Sequence, residues 1–323
     1  MLTRTLLITG ASGFLGTSIL RALQELAPDI RVIAAGRTVG ALGSPPVEGV
    51  PLDLASHCVV LPDGVDTVLH LAGEKHDESR MWAVNHAGTR RLVEAAANAG
   101  VRRFIYLSSV GVYGAPKHAG VVTKYHARTP RNTYEESKNA GEICVTGLCP
   151  HLGIEHLVVQ PTNVIGHVPG RSYPLIGLMS MIQASRFAYF GSRDAWVNYV
   201  NVEDVAASVV ATCQHGPNRA VYIVNTPTRL ANVVSWIASE LAVPEPRRRL
   251  PAWLGGAVGT AGSMLQRLVG RGMPFNADRY RELTNTTWYD GTDITGDLGF
   301  TYPIGIEQTV RDLVRAYRAE GRL

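Results

Sequence analysis

"LLITGASGFLG", residues 6–16, runs from a short apolar stretch into three glycines spaced three apart, Gly10, Gly13 and Gly16. "TLLIT" reads as a buried strand, and the residues from Phe14 to about Leu26 repeat their apolar positions at helical spacing. Between such elements glycine permits a tight turn, close approach of backbone to a ligand, and packing of the helix on its strand. The helix start then offers unpaired N–H groups and a positive dipole end. A phosphate-binding turn of a dinucleotide fold is the expectation.

The following segments keep the same rhythm. "RVIAAG", "DTVLHLA", "RFIYLSS" and "EHLVVQP" read as further apolar strands, separated by helical patterns in residues 81–100 and 134–148. Apolar strands alternating with helices predict an α/β protein with a Rossmann-type, doubly wound parallel sheet. Ligands of such a sheet bind beyond the carboxyl ends of its strands. After about residue 165 the alternation breaks at "GHVPGRSYPLIG". The expected division is a dinucleotide-binding domain over 1–165 and a smaller, mostly helical substrate region over 166–323, with about 197–227 returning to the main sheet.

Composition narrows the class further. With 323 residues, 46% hydrophobic and 18% charged, the chain has a globular enzyme's make-up, and a net charge of +4 gives no basis for nucleic-acid binding. The basic cluster Arg247–Arg249 reads as a solvated loop. Cys58, Cys144, Cys149 and Cys213 have no disulfide-framework or CxxC spacing, which suggests reduced thiols and a cytoplasmic setting. Met1 leads almost directly into "RTLLITG", leaving no room for a signal peptide. Residues 251–270 are the most apolar stretch, but glycines and polar breaks suit a packed or interfacial helix better than a membrane span. The histidines lack ligand spacing, so no metal site is expected; His70 reads as a core residue.

Cofactor choice is read at the end of the second strand. An acidic residue there would hold the ribose hydroxyls of NAD, whereas an arginine can meet the 2′-phosphate of NADP. "AAGRT" carries Arg37 and no acid, which favours NADP and leaves NAD as the alternative. Asp53 in "PLDL" reads either as an adenine contact or as a turn cap.

"TYEESK", residues 133–138, sets Tyr134 and Lys138 on one helical face. An ammonium beside a phenol is expected to lower its pKa towards neutrality and make it a proton carrier. "FIYLSS" ends in Ser108 and Ser109, which places a hydroxyl at the same carboxyl edge.

In order and separation, "TGASGFLG", "HLAG", "SSVGVYG", "YEESK" and "QPTNVIG" resemble the motifs of the extended short-chain dehydrogenases/reductases, the nucleotide-sugar epimerase/dehydratase type. The resemblance covers nearly the whole chain, including the closing "TGDLGFTYPIGIEQTVRDLVRAY". It implies Tyr134 as catalytic acid/base, Lys138 as the residue that holds the nicotinamide ribose and tunes Tyr134, and Ser109 as the hydroxyl that polarises the substrate oxygen. The cofactor would lie along Gly10, Ser12, Gly13, Phe14, Leu15 and Gly16, with Arg37, Asp53 and Leu54 at its adenosine end. It would continue past Leu71, Ala72 and Gly73 to Tyr134, Lys138 and Pro161. Substrate would meet Ser109, Val110, Asn163 and Arg193, and Asn85 would steady the active-site strand and helix. The resemblance also implies a homodimer.

Two departures bear on the substrate. Dehydratases of this group carry an Asp-Glu pair after the catalytic Ser/Thr, where this chain has Val110 and Gly111, which argues against dehydration. In "VNYVNVEDV", Val197 stands where many nucleotide-sugar members have a diphosphate-binding arginine, leaving Arg193, Arg279 or Arg281 for that task. The expected activity is NADP-dependent C4 keto-reduction of a nucleotide-linked sugar. The alternatives are a C4 epimerase with bound NAD, or a reductase of a hydrophobic, steroid- or flavonoid-like ketone suggested by residues 251–275. Intact Ser109, Tyr134 and Lys138 argue against a non-catalytic nucleotide sensor.

Overall fold

Leu6 and Ile8 point to one apolar cluster while Leu7 points to another, and the same split separates Val32 and Ala34 from Ile33 and Ala35. This two-sided burial explains why the strands read as unbroken apolar runs and not as alternating ones. In the computed structural model they form β1 (Thr5–Thr9), β2 (Arg31–Gly36), β3 (Glu48–Pro51), β4 (Thr67–His70), β5 (Arg103–Leu107), β6 (Glu155–Pro161) and β7 (Val221–Val224). The structure describes all residues except 1–2, 38–46, 57, 116–118, 168–173 and 270–276, with backbone alone for 262–269 and 277–279.

The seven strands make one parallel sheet in the order β7-β6-β5-β4-β1-β2-β3. From β1 the chain builds outward through β2 and β3, then crosses to β4 on the other flank of β1. The strand order therefore reverses between β1 and β4, and the turns leaving both strands open there, the usual ligand crevice of doubly wound sheets. Helix α1 (Phe14–Leu26) covers one face together with α4 (Val202–His215). The opposite face carries α2 (Thr89–Asn98), entered through a π-helical stretch Trp82–Gly88, and α3 (Thr133–His151).

A third core lies outside the sheet. Met179, Phe187, Tyr189, Val197, Leu230, Val234, Leu313 and Tyr317 pack together, and this cluster includes α5 (Leu230–Leu241) and the last helix, α7 (Gly305–Ala319). Between them in sequence runs α6 (Ala252–Val269).

Of the segment 197–227, Val221–Val224 enters the sheet and α4 covers it. Tyr199–Asn201 instead pairs with Asn163–Ile165, and Trp196–Val197 pairs with Thr228–Arg229. Asn198 explains this placement. Its amide donates to the Thr287 carbonyl oxygen at 3.0 Å, while its own oxygen accepts from the Tyr289 N–H and from Asn225.

Candidate active site

The glycine turn is shaped by what a side chain would strike. Gly10 has φ +76°, and a Cβ there would lie 2.8 Å from the Ala72 nitrogen in the loop after β4. At Gly16 a Cβ would lie 2.1 Å from the Gly10 carbonyl oxygen, so α1 starts close against β1 only because that side chain is missing. Gly13 caps α1 in an extended conformation and no side chain caps the helix, leaving its first N–H groups for an outside acceptor. Ser12, Phe14 and Leu15 complete this turn.

A directional chain of hydrogen bonds ties the turn to the helix behind it. Thr89 gives its hydroxyl proton to the Asn85 carbonyl oxygen at 2.8 Å, so His70 Nε2 must donate to Thr89 Oγ1 at 3.0 Å. His70 Nδ1 then accepts from Thr9 Oγ1 at 2.7 Å, and Thr9 Oγ1 accepts from the Ala72 N–H. Burial and the nearby Lys138 depress the His70 pKa to about 3, which keeps the ring neutral and fits this single tautomer. The expected core role of His70 is thus observed.

Asn85 continues the link. Its Oδ1 accepts from the Glu74 N–H at 2.7 Å, and its amide donates to the Glu74 carbonyl oxygen and to Ser137 Oγ. Helix α3 begins at Asn132, whose Oδ1 accepts from the Glu135 N–H at 2.9 Å. Tyr134 is the second residue of α3, and Lys138 follows one turn later on the same helix. Lys138 is buried, donates to the Leu107 carbonyl oxygen at 2.7 Å, and stands 4.2 Å from the Tyr106 ring centre. A Cβ on Gly73 would lie 3.9 Å from Lys138 Nζ, which brings the loop after β4 to the lysine.

Ser109 follows β5 and caps the 3₁₀ turn Val110–Tyr113, its Oγ accepting from the Gly111 N–H at 3.1 Å. That turn packs on α3: a Cβ on Gly111 would meet the Glu135 Cγ at 3.1 Å. Ser109 therefore stands beside the segment that carries Tyr134. The Glu135 side chain, held by Arg131, occupies the space a longer residue at position 111 would need. Ser108 Oγ is buried without a hydrogen-bond partner.

The electrostatics correct one expectation. Burial, and then the charge of Glu135, hold the Tyr134 phenol above its ordinary pKa, opposite to the expected lowering by Lys138. Lys138 is itself brought down by burial to about 7, against the opposing pull of Glu142. Near neutral pH Tyr134 keeps its proton, and Lys138 sits at the edge of losing one.

Glu142 was not singled out from sequence, although it lies one helical turn beyond Lys138. Its fully buried carboxylate is paired with Arg128 and accepts from Gln160 through both oxygens at 3.0 Å, and Gln160 in turn accepts from the Tyr113 hydroxyl.

The remaining candidates are spread more widely. Arg37 is exposed at the end of β2. Asp53 Oδ1 accepts from the Ala55 N–H at 3.0 Å, a turn contact, and Leu54 is buried in the core beneath it. Leu71 follows β4 and Pro161 ends β6, both at the carboxyl edge. Val110 packs partly buried in the small cluster around Tyr113. Asn163 is exposed, and its backbone N–H donates to the Asn198 carbonyl oxygen. Arg193 is paired with Glu245 and lies over the Tyr189 ring, and the Arg279 side chain falls outside the described residues.

A cavity of about 350 Å³ opens in the later chain, lined by Phe190, Trp196, Arg229, Ala252, Tyr280 and neighbours. Arg229, which the sequence reading missed, stacks 3.7 Å above the Trp196 ring. A smaller hollow of about 150 Å³ at Thr3, Asp66 and Arg103 lies by the strand starts, away from the carboxyl edge. Among the described residues no cluster of His, Cys, Asp or Glu has metal-site geometry, and no helix is long and apolar enough to cross a membrane.

A doubly wound parallel sheet of seven strands with a glycine turn after its first strand is the fold of the extended short-chain dehydrogenases/reductases, a class of NAD(P)-dependent enzymes. The sequence model of the NAD dependent epimerase/dehydratase family matches residues 6–224, and the chain belongs to that family. The chain spans about half or less of the length of the first curated relatives it matches. One is the trifunctional UDP-glucose 4,6-dehydratase/UDP-4-keto-6-deoxy-D-glucose 3,5-epimerase/UDP-4-keto-L-rhamnose-reductase RHM1 of Arabidopsis thaliana, 26% identical over 69% of this chain and 37% of that one. Sterol demethylase protein B of Methylococcus capsulatus is 26% identical over 99% of this chain and 100% of that protein. The crystal structure of UDP-glucuronic acid 4-epimerase from Bacillus cereus in complex with NAD shares the fold, with a TM-score of 0.69 at 17% identity over 97% of this chain and 99% of that one.

Proposed function

We propose that the chain interconverts C=O and CH–OH at a secondary carbon with NADP(H), and that its substrate is a nucleotide-linked sugar reduced at C4. The reading is carried by Lys138 bonded to Leu107 two residues before Ser109, with Tyr134 one helical turn before the lysine and Gly73 linking the lysine to the loop beside the glycine turn. The cleared space at Gly10 and Gly16 and the uncapped start of α1 fit a pyrophosphate, and Arg37 fits a 2′-phosphate. Lys138 would hold the nicotinamide ribose. When bound, the cofactor supplies or takes up the hydride.

The protein's own groups handle the oxygen. With its pKa held above the ordinary value, Tyr134 is a phenol that donates its proton as charge grows on the substrate oxygen. Ser109 Oγ already accepts from the Gly111 N–H, so its hydroxyl hydrogen is left to stabilise the same oxygen. The ammonium of Lys138 has three N–H groups, one of them given to Leu107, and it favours the phenolate left after proton transfer. Val110 and Gly111 offer no acid–base pair for water loss.

The same residues would serve a C4 epimerase that keeps its NAD. A hydrophobic ketone is the second substrate reading, favoured by the aromatic lining of the cavity at Phe190, Trp196 and Tyr280 and by the pairing of Arg193 with Glu245. The full-length similarity to a sterol demethylase protein supports that alternative.

Tyr134→Phe tests the mechanism: turnover should fall about 10²- to 10⁴-fold with NADPH affinity roughly unchanged. Undiminished turnover would overturn it. Denaturing fresh protein and weighing any released nucleotide separates the cofactor readings. Tightly held NAD identifies an epimerase, while an empty protein that consumes NADPH with keto-sugar nucleotides, or instead with sterol-like ketones, identifies a reductase and its substrate.

A further inference from the structure

The first turns of α6 face solvent without any charge. From Leu250 to Gln266 the sequence has no ionisable side chain, yet Trp253 is 73% exposed, Val258 is 48% exposed, and Ala257, Thr260 and Ala261 are exposed beside them. The inner side of the helix is apolar as well, since a Cβ on Gly255 would lie 2.6 Å from both the Phe190 and Tyr280 rings. A surface helix normally answers water with charge. On α7 the outer face does so through Glu307, Arg311, Asp312 and Arg315, linked in ion pairs.

Immediately before α6, Arg247, Arg248 and Arg249 are all exposed. A cationic cluster next to an outward tryptophan on helical turns that carry no charge up to Gln266 suits a surface that is anionic outside and apolar just beneath. Ala252 both belongs to this exposed stretch and lines the cavity of about 350 Å³, so the surface lies at the cavity's rim.

We propose that Arg247–Arg249 and the start of α6 form a docking surface for an anionic phospholipid bilayer. The guanidinium groups meet headgroup phosphates, and Trp253 and Val258 enter the boundary between headgroups and acyl chains. The charge match selects this occupant over an uncharged protein face, which would leave the three arginines unanswered.

The test is co-sedimentation of the full chain with phosphatidylcholine vesicles, with and without phosphatidylglycerol, in the absence of cofactor and substrate. Its outcome is thereby separate from the catalytic reading. Binding is expected only with phosphatidylglycerol and should weaken with added salt. Combined Arg247→Glu, Arg248→Glu and Arg249→Glu should lower partitioning on the order of a hundredfold, each arginine contributing roughly fivefold. Trp253→Ser should lower it several-fold, with near-ultraviolet circular dichroism of both variants reporting an intact fold. No binding, equal binding to both vesicle types, or unchanged partitioning of the arginine variant overturns the proposal. So does a dimer that Trp253→Ser converts to monomer in sedimentation velocity, which would assign the face to a second copy.

Discussion

Lys138 donates to the Leu107 carbonyl oxygen at 2.7 Å, fastening the second turn of α3 to the last residue of β5. The lysine is thereby held in the interior, where its charge is costly, and its pKa falls to about 7. As pH rises through about 7 the unliganded protein loses this ammonium, so on the proposed function affinity for NADPH should weaken there. Lys138→Met should bind NADPH about 10- to 100-fold less tightly and show no such pH dependence, measured by fluorescence titration. Stability runs the other way. The folded pKa lies below the unfolded value of 10.5, so stability should rise with pH from about 7 upward.

Arg37 stands exposed at the end of β2 with no acidic residue before Glu48. Arg37→Ser should cut the proposed preference for NADPH over NADH by about 10- to 100-fold through loss of one charge-assisted contact. Measured kcat/KM with each cofactor decides it, and an unchanged ratio removes Arg37 from the site.

Asn85 makes three hydrogen bonds between the loop after β4 and α3 while almost wholly buried. Asn85→Ala strands the Glu74 N–H and carbonyl oxygen, and should cost about 2–4 kcal/mol in urea unfolding. Gly73, whose Cβ position lies near both Asn85 and Lys138, loses its support, so kcat should fall along with stability.

His70 predicts an acid limb in stability. Its folded pKa is about 3 against 6.5 unfolded, so the stabilisation is fully present above 6.5 and is lost as pH falls towards 3. Thermal melts across that range should show a falling Tm, with a shallower slope in His70→Gln. Equal slopes would mean that other groups carry the acid limb.

Much of the frame was legible because it is written in neighbouring residues. β2 and β6 and the extent of α1 follow from their apolar runs and from Gly13 at the helix start. The routing of 197–201 was not legible, because it depends on the bonds of Asn198 to Thr287 and Tyr289 about ninety residues away. Glu142 had a local signal, one turn past Lys138, but its partners Arg128 and Gln160 come from a loop and a strand that no periodicity joins to the helix.

By itself, the sequence determined the glycine turn, the alternation of strand and helix, and the shared face of Tyr134 and Lys138, since steric demand and helical spacing act over a few residues. Tertiary structure alone decided the protonation of the site. Tyr134 is held above its ordinary pKa by burial and by the charge of Glu135, and Lys138 well below its own because burial outweighs the attraction of Glu142. The stacking of Arg229 on Trp196, and the exposure of Trp253 and Val258 on the first turns of α6, likewise exist only once the chain is folded.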